Sequence, residues 1–234
     1  NFTGSFNGNG YKITGLTIDR SGTNYIGLFG YTSGATIENV ALEDVNIKGK
    51  NYTGGLVGWA DDSSIENSYA TGKVTGEGNY TGGLVGYAWD STIIKDSYAT
   101  GEVTGEGTCT GGLVGEANYS TITNSYATGS VTGGNNTGGL VGRAYNSTIT
   151  NSYATGEVTG KDYTGGLVGL ANYSTITNSY ATGEVTGSDY TGGLVGSAYN
   201  STITNSYWNT ETTEQSTSAG GEGKSTDEMM KKET

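Results

Sequence analysis

The string Gly-Gly-Leu-Val-Gly occurs six times, with its second glycine at Gly55, Gly83, Gly112, Gly139, Gly166 and Gly193, in steps of 28, 29, 27, 27 and 27 residues. A looser copy, Ile26-Gly27-Leu28-Phe29-Gly30, lies 28 residues before the first. Between the strings runs a second block, clearest as STITNSYATGEVTG from Ser174 to Gly187. Seven such units fill residues 21 to about 208. A strict period of this length marks a chain whose units cannot bury an apolar face alone and do so by stacking on their neighbours.

Gly, Thr, Ser, Asn and Tyr are poor helix formers, and no 3.6-residue period runs through the units. Short strands bounded by glycine are the natural reading, with three per unit: around GGLVG, around STITN and around SYATG–VTG. One unit then makes one coil. The expected fold is all-β, a parallel β-solenoid (a right-handed β-helix by the crossover rule) of about 27 residues per coil and seven to eight coils. At the ~4.8 Å strand spacing the rod is roughly 35–40 Å long.

The apolar early block Ala35–Gly49 shows which positions face inward. Ile37, Val40, Leu42 and Ile47 align with Ile176, Ser179, Ala181 and Val185, which are therefore expected inside, with Thr175, Thr177 and Tyr180 outside. Asn178 stands where the parity changes, so it marks a corner. Its copies are Asn39, Asn67, Asn124, Asn151 and Asn205, with Asp96 as the exception, and stacked corner amides can bond to one another and to turn backbone. The ends depart from the pattern. Residues 1–20 read as a leading coil, 21–208 as the repeats, and 209–234 as a Gly/Ser/Thr-rich trailing segment with a short helix capped by Ser225 or Thr226. The leading segment offers no amphipathic helix over its first edge, so the N-terminal edge is the less protected.

The GGLVG strings with intervening NSYATG blocks resemble the GLUG-motif repeats of bacterial and archaeal surface proteins. The lead-in FTGSFNGNGYKITGLTI and the exit SYWNTETTEQSTSAGGEGKSTDEMM resemble that family's flanking segments. The resemblance covers essentially the whole chain. It implies an internal region of a larger, adhesin-like surface protein and brings no catalytic residues with it.

Composition narrows the chemistry. With no His, neither a Ser-His-Asp or Cys-His system nor a zinc-protease helix motif can be built. The single Cys109 forms no internal disulfide, lacks a base, and replaces a Tyr present in most units. A net charge of -12 and a pI near 4.3 disfavour nucleic acid and anionic membranes as partners. No apolar run approaches the ~18 residues of a spanning helix, and no signal-peptide pattern opens the chain. No phosphate-loop or calcium-loop motif is present, and no cofactor or metal is expected. Glu102, Glu157 and Glu184 share one outward position with Lys73 and Ser130, which reads as a solvated row.

Three outward features recur. The first is a tyrosine row, Tyr69, Tyr98, Tyr126, Tyr153, Tyr180 and Tyr207, suited to stacking or self-association. The second is a Thr-Ile-Thr array, Thr121/Thr123, Thr148/Thr150, Thr175/Thr177 and Thr202/Thr204, which resembles the face of ice-binding solenoids. The third is a set of N-glycosylation sequons at Asn1, Asn51, Asn79, Asn118, Asn135, Asn146, Asn172 and Asn200, four of them near one position per coil. The expected function is a non-enzymatic extracellular structural or adhesive solenoid. Its expected partners are further copies, neighbouring domains, surface glycans or host proteins. Ice binding is the alternative, and a carbohydrate-active β-helix the weaker one.

Overall fold

The computed structural model describes residues 1–231 and shows an all-β parallel solenoid. Its strands form four parallel sheets of six, seven, eight and fourteen strands. The sixth unit shows the plan: Thr164–Gly165, Val168–Asn172, Thr175–Thr177, then Tyr180–Ala181 with Val185–Thr186 in one sheet. Register is kept from coil to coil, so that Thr148, Thr175 and Thr202 pair, as do Ile149, Ile176 and Ile203.

The expectation of three strands per unit is corrected here. The GGLVG string is not one strand: Thr-Gly ends one sheet and Val begins another, with a Gly-Leu corner between. The glycine is required by backbone proximity. A Cβ on Gly166 would press on the Gly193 carbonyl oxygen and the Ala181 methyl, so only a residue without one lets neighbouring coils nest at this corner.

The core is a set of single-residue files. Leu56, Leu84, Leu113, Leu140, Leu167 and Leu194 are fully buried, as are Ile37, Ile65, Ile94, Ile122, Ile149 and Ile176. Each such side chain contributes about 1.5–3 kcal/mol by leaving water, which suffices for a thin interior because every coil repeats it. Ile176, Ser179, Ala181 and Val185 all point inward, and Thr175, Thr177 and Tyr180 outward. The buried serines are paired: Ser125 Oγ donates to the Thr123 carbonyl at 2.8 Å and accepts from the Ser97 amide at 3.3 Å. A hydroxyl bonded on both sides stitches the corner without leaving a polar atom orphaned.

The Asn corners are left-handed. Asn39, Asn67, Asp96, Asn124, Asn151, Asn178 and Asn205 hold φ between 47° and 55°. That region is open to Asn at lower cost than to other side chains. Their amides form a ladder, with Asn178 Nδ2 donating to Asn151 Oδ1 at 3.2 Å and Asn124 Nδ2 to Asp96 Oδ1 at 2.9 Å.

After the last coil the chain turns back over the end of the rod. Val185 N–H donates to Thr213 O, Gly193 N–H to Thr217 O, and Ala219 N–H to Val195 O, while Glu222–Lys224 adds a strand beside Tyr207–Asn209. Trp208 stands in register with the small Ala181 and is 6% exposed, so an indole closes the file of alanines. A short helix, α1 (Thr226–Met230), follows, with Ser225 as its N-cap in a capping box with Glu228. The remainder of the sequence-predicted helical stretch, 232–234, lies outside the described residues.

Candidate functional site

The structure brings the predicted tyrosine row together. Tyr69, Tyr98, Tyr126, Tyr153 and Tyr180 stack face to face at 4.6–5.0 Å with interplanar angles of 3–6°. Tyr207 continues the register, and Lys224 Nζ lies 5.7 Å from its ring centroid. Burial against neighbouring rings pushes the phenols of Tyr98, Tyr126 and Tyr180 above their ordinary value, so they stay neutral donors at physiological pH. Because each ring covers the next, the row offers edges and hydroxyls to a partner, not ring faces.

The Thr-Ile-Thr array is present as a grid over four coils, with Thr121, Thr148, Thr175 and Thr202 in one file and Thr123, Thr150, Thr177 and Thr204 in the other. Thr177 and Thr204 hydroxyls approach to 3.5 Å. Upstream the same sheet carries Ile93/Lys95 and Ser64/Glu66, so the grid ends there.

A second aromatic file was not singled out in the sequence. Tyr25, Tyr52 and Tyr80 stack at 5.0 Å and pack against Tyr31, Trp59 and Tyr87. Its signal was the Tyr that precedes Thr-Gly in most units. In the next two coils Cys109 and Asn136 take the Tyr position, and Glu116 and Arg143 take the opposing one. Cys109 Sγ donates to Glu116 Oε2 at 3.4 Å, Asn118 Nδ2 to Glu116 Oε1 at 3.2 Å, and Arg143 Nη1 lies 3.8 Å from Oε2. Burial raises the Glu116 carboxyl, with Arg143, Cys109 and Asn118 opposing. It raises the Cys109 thiol too, aided by the Glu116 charge, which suits neither group to nucleophilic work.

The sequons do not occupy one position per coil. Asn118 and Asn172 stand at strand ends, in register with Tyr145 and Tyr199, whereas Asn146 and Asn200 sit one residue later with φ of 46° and 48°. The order Asn-Tyr thus alternates with Tyr-Asn from coil to coil. The sequence reading missed this because the sequon spacing changes by only one residue. Asn51 and Asn79 lie in turns, where their side-chain oxygens accept from the Asn79 and Thr108 amides, and Asn1 and Asn135 are exposed. Asn118 is occupied by Tyr87 and Glu116.

Glu157 and Glu184 are exposed neighbours on one outward row, while Glu102 is paired with Lys73 at 2.8 Å. Among the described residues no group of three or more His, Cys, Asp or Glu side chains is arranged to hold a metal ion. No helix among them is long and apolar enough to cross a membrane.

A parallel solenoid carrying regular surface files is the class that this geometry defines. The GLUG motif is found at residues 49–75, 77–104, 106–132, 133–159 and 162–186, so the chain belongs to the GLUG-motif family. It is 46% identical over 54 residues to Halomucin of Haloquadratum walsbyi; the match takes in 23% of this chain and 1% of that protein's length. The fold is similar to the crystal structure of a "putative immunoglobulin A1 protease" from Bacteroides ovatus, with a TM-score of 0.66, 22% identity, and coverage of 86% of this chain and 68% of that one. At this identity the similarity speaks for the solenoid alone.

Proposed function

We propose that the chain is a segment of a cell-surface or extracellular protein, acting as a non-enzymatic rigid spacer that holds repeated side-chain files toward its surroundings. The observation that carries this reading is register: the core files and the outward Tyr and Thr files run in step from coil to coil. A partner meeting one such file meets many equivalent weak contacts, which add as avidity. The GLUG repeats and the likeness to Halomucin support display outside the cell.

Self-association along the axis belongs to the same reading. Among the described residues nothing pairs with the outer edges of the leading strands Ser5–Asn7, Lys12–Thr14 and Thr17–Asp19, whereas at the other end the returning segment covers three sheets and leaves the edge of Thr202–Thr204 open. An open edge of this kind accepts a further strand from a neighbouring domain or a second copy.

Protease treatment of intact source cells tests the display. Release of peptides from this chain before lysis is expected; recovery only after lysis would overturn it. Ice binding is the second reading, favoured by the four-coil threonine grid. Thermal hysteresis that Thr148→Tyr and Thr175→Tyr abolish would promote it above the first.

A further inference from the structure

One surface is left unexplained by a spacer role. At the corner between the Val168–Asn172 and Thr175–Thr177 strands, and at its copies, runs a file of Trp89, Tyr119, Tyr145, Tyr173 and Tyr199. Unlike the two stacked files, it is built edge to face. The successive rings are 6.2, 5.8, 5.9 and 5.5 Å apart, at angles of 79°, 73°, 73° and 84°. The alternation follows from the exchanged Tyr-Asn order, which moves the ring one residue along the chain in every second coil.

In an edge-to-face file, one alternate set of rings has its faces covered by neighbouring edges, and the other turns its faces sideways. Tyr119 and Tyr173 are 51% and 48% exposed, whereas Tyr145 between them is more covered. Tyr119 and Tyr173 are equivalent residues two coils apart, roughly 9–10 Å at the ~4.8 Å strand spacing. Asn146, Asn172 and Asn200 stand beside these rings, and Thr148, Thr175 and Thr202 follow them on the adjoining strands. Apart from Arg143, whose guanidinium is turned to Glu116 and lies 5.6 Å from the Tyr145 centroid, none of these side chains from Tyr119 to Thr202 is an Asp, Glu, Lys or Arg, and the exposed Asp90 carboxylate stands beside Trp89 at the far end of the file. On a chain of net charge -12, this is a neutral strip.

The geometry points to this strip as a binding site for an extended, uncharged, β-linked polysaccharide. A pyranose ring presents an apolar face of C–H groups that packs on an open aromatic face, while its equatorial hydroxyls need amide and hydroxyl partners at the side. A chain that flips successive sugars presents the same sugar face once per disaccharide, a length comparable to two coils. Tyr119 and Tyr173 would each take one such face, with the intervening sugar over Tyr145. The absence of charge complements a neutral polymer and disfavours an anionic one. This deepens the adhesive reading by naming the partner class, and it can fail while surface display, measured on cells, stands.

The test is affinity electrophoresis of the full chain, produced in a host that attaches no N-glycans. Gels carry hydroxyethyl cellulose, glucomannan, mixed-linkage β-glucan or anionic polygalacturonate. Retardation by at least one neutral polymer is expected, with an affinity about tenfold lower in Tyr119→Ala/Tyr173→Ala because two linked contacts are lost. Tyr119→Phe/Tyr173→Phe keeps both faces and should keep the retardation. Tyr173→Ala alone removes one of the two faces, disturbs a single coil, and should weaken binding detectably. Absence of retardation by every neutral polymer, equal retardation with the Ala variants, or retardation by polygalacturonate alone would overturn the proposal. So would native protein whose own N-glycan on Asn146 or Asn200 is found seated on these rings.

Discussion

Asn151 donates its side-chain amide to Asn124 Oδ1 at 3.1 Å, and both residues hold φ at 51°. One residue type thus meets two demands at the corner, a left-handed backbone and a bond to the coil below. Asn151→Ala fails both and should cost about 2 kcal/mol. Asn151→Gly fails only the second and should cost about 1 kcal/mol or less. Urea midpoints of the two variants check the order; an Ala variant as stable as the Gly variant would remove the backbone argument.

The inward–outward assignment is tested by neighbours. Ile176 has no exposed surface, and Thr177 beside it faces out. Ile176→Asp should lose several kcal/mol, on the order of 4 or more, because a carboxylate enters a core with no partner. Thr177→Asp should stay within about 0.5 kcal/mol. Equal losses in denaturant melts would contradict the assignment.

Nesting of coils predicts a contrast between glycines. Gly166→Ala sets a methyl against the Gly193 carbonyl and the Ala181 side chain, and should destabilise by about 2 kcal/mol or more as the coils are pushed apart. At Gly22 a Cβ meets nothing and the backbone is not left-handed, so Gly22→Ala should change stability by less than about 0.5 kcal/mol. Thermal melts of the two proteins decide it.

Glu116 gives a pH signature. Burial raises its carboxyl in the folded chain above the unfolded value, against Arg143, Cys109 and Asn118, which face it. The folded state therefore holds this proton more tightly. Ionised Glu116 lowers stability at neutral pH, and that loss is recovered as pH falls through the raised folded value toward the ordinary carboxylate range. Glu116→Gln should be at least as stable as the parent at neutral pH, and its advantage should shrink on acidification. An advantage that grows on acidification would reverse the sign.

Much of the fold could be read from the chain because a solenoid repeats its evidence. Ile176 and Ser179 betray a change of parity in every unit, and that change located the corner at Asn178. The Thr-Gly strand was hidden because two residues show no alternation, and the corner at Gly166 depends on contact with another coil. The surface was less legible. A row such as Tyr69–Tyr98 follows from equal spacing alone, but the Tyr119–Tyr145 relationship depends on a one-residue exchange that leaves the apolar pattern untouched. Glu116 and Arg143 each look like solvated charges until register sets them side by side.

The exchanged Tyr-Asn order has a consequence for how such a chain can change length. The backbone repeats every coil, but the corner file repeats every second one. Deleting a single coil, for example residues 139–165, would leave the core files continuous yet set Tyr119 and Tyr173, rings of the same orientation, next to each other, closing the edge-to-face arrangement at the junction. Deleting two would restore both. Unequal recombination among these near-identical units is thus neutral for folding in any whole number, while an odd number writes a phase defect into the surface.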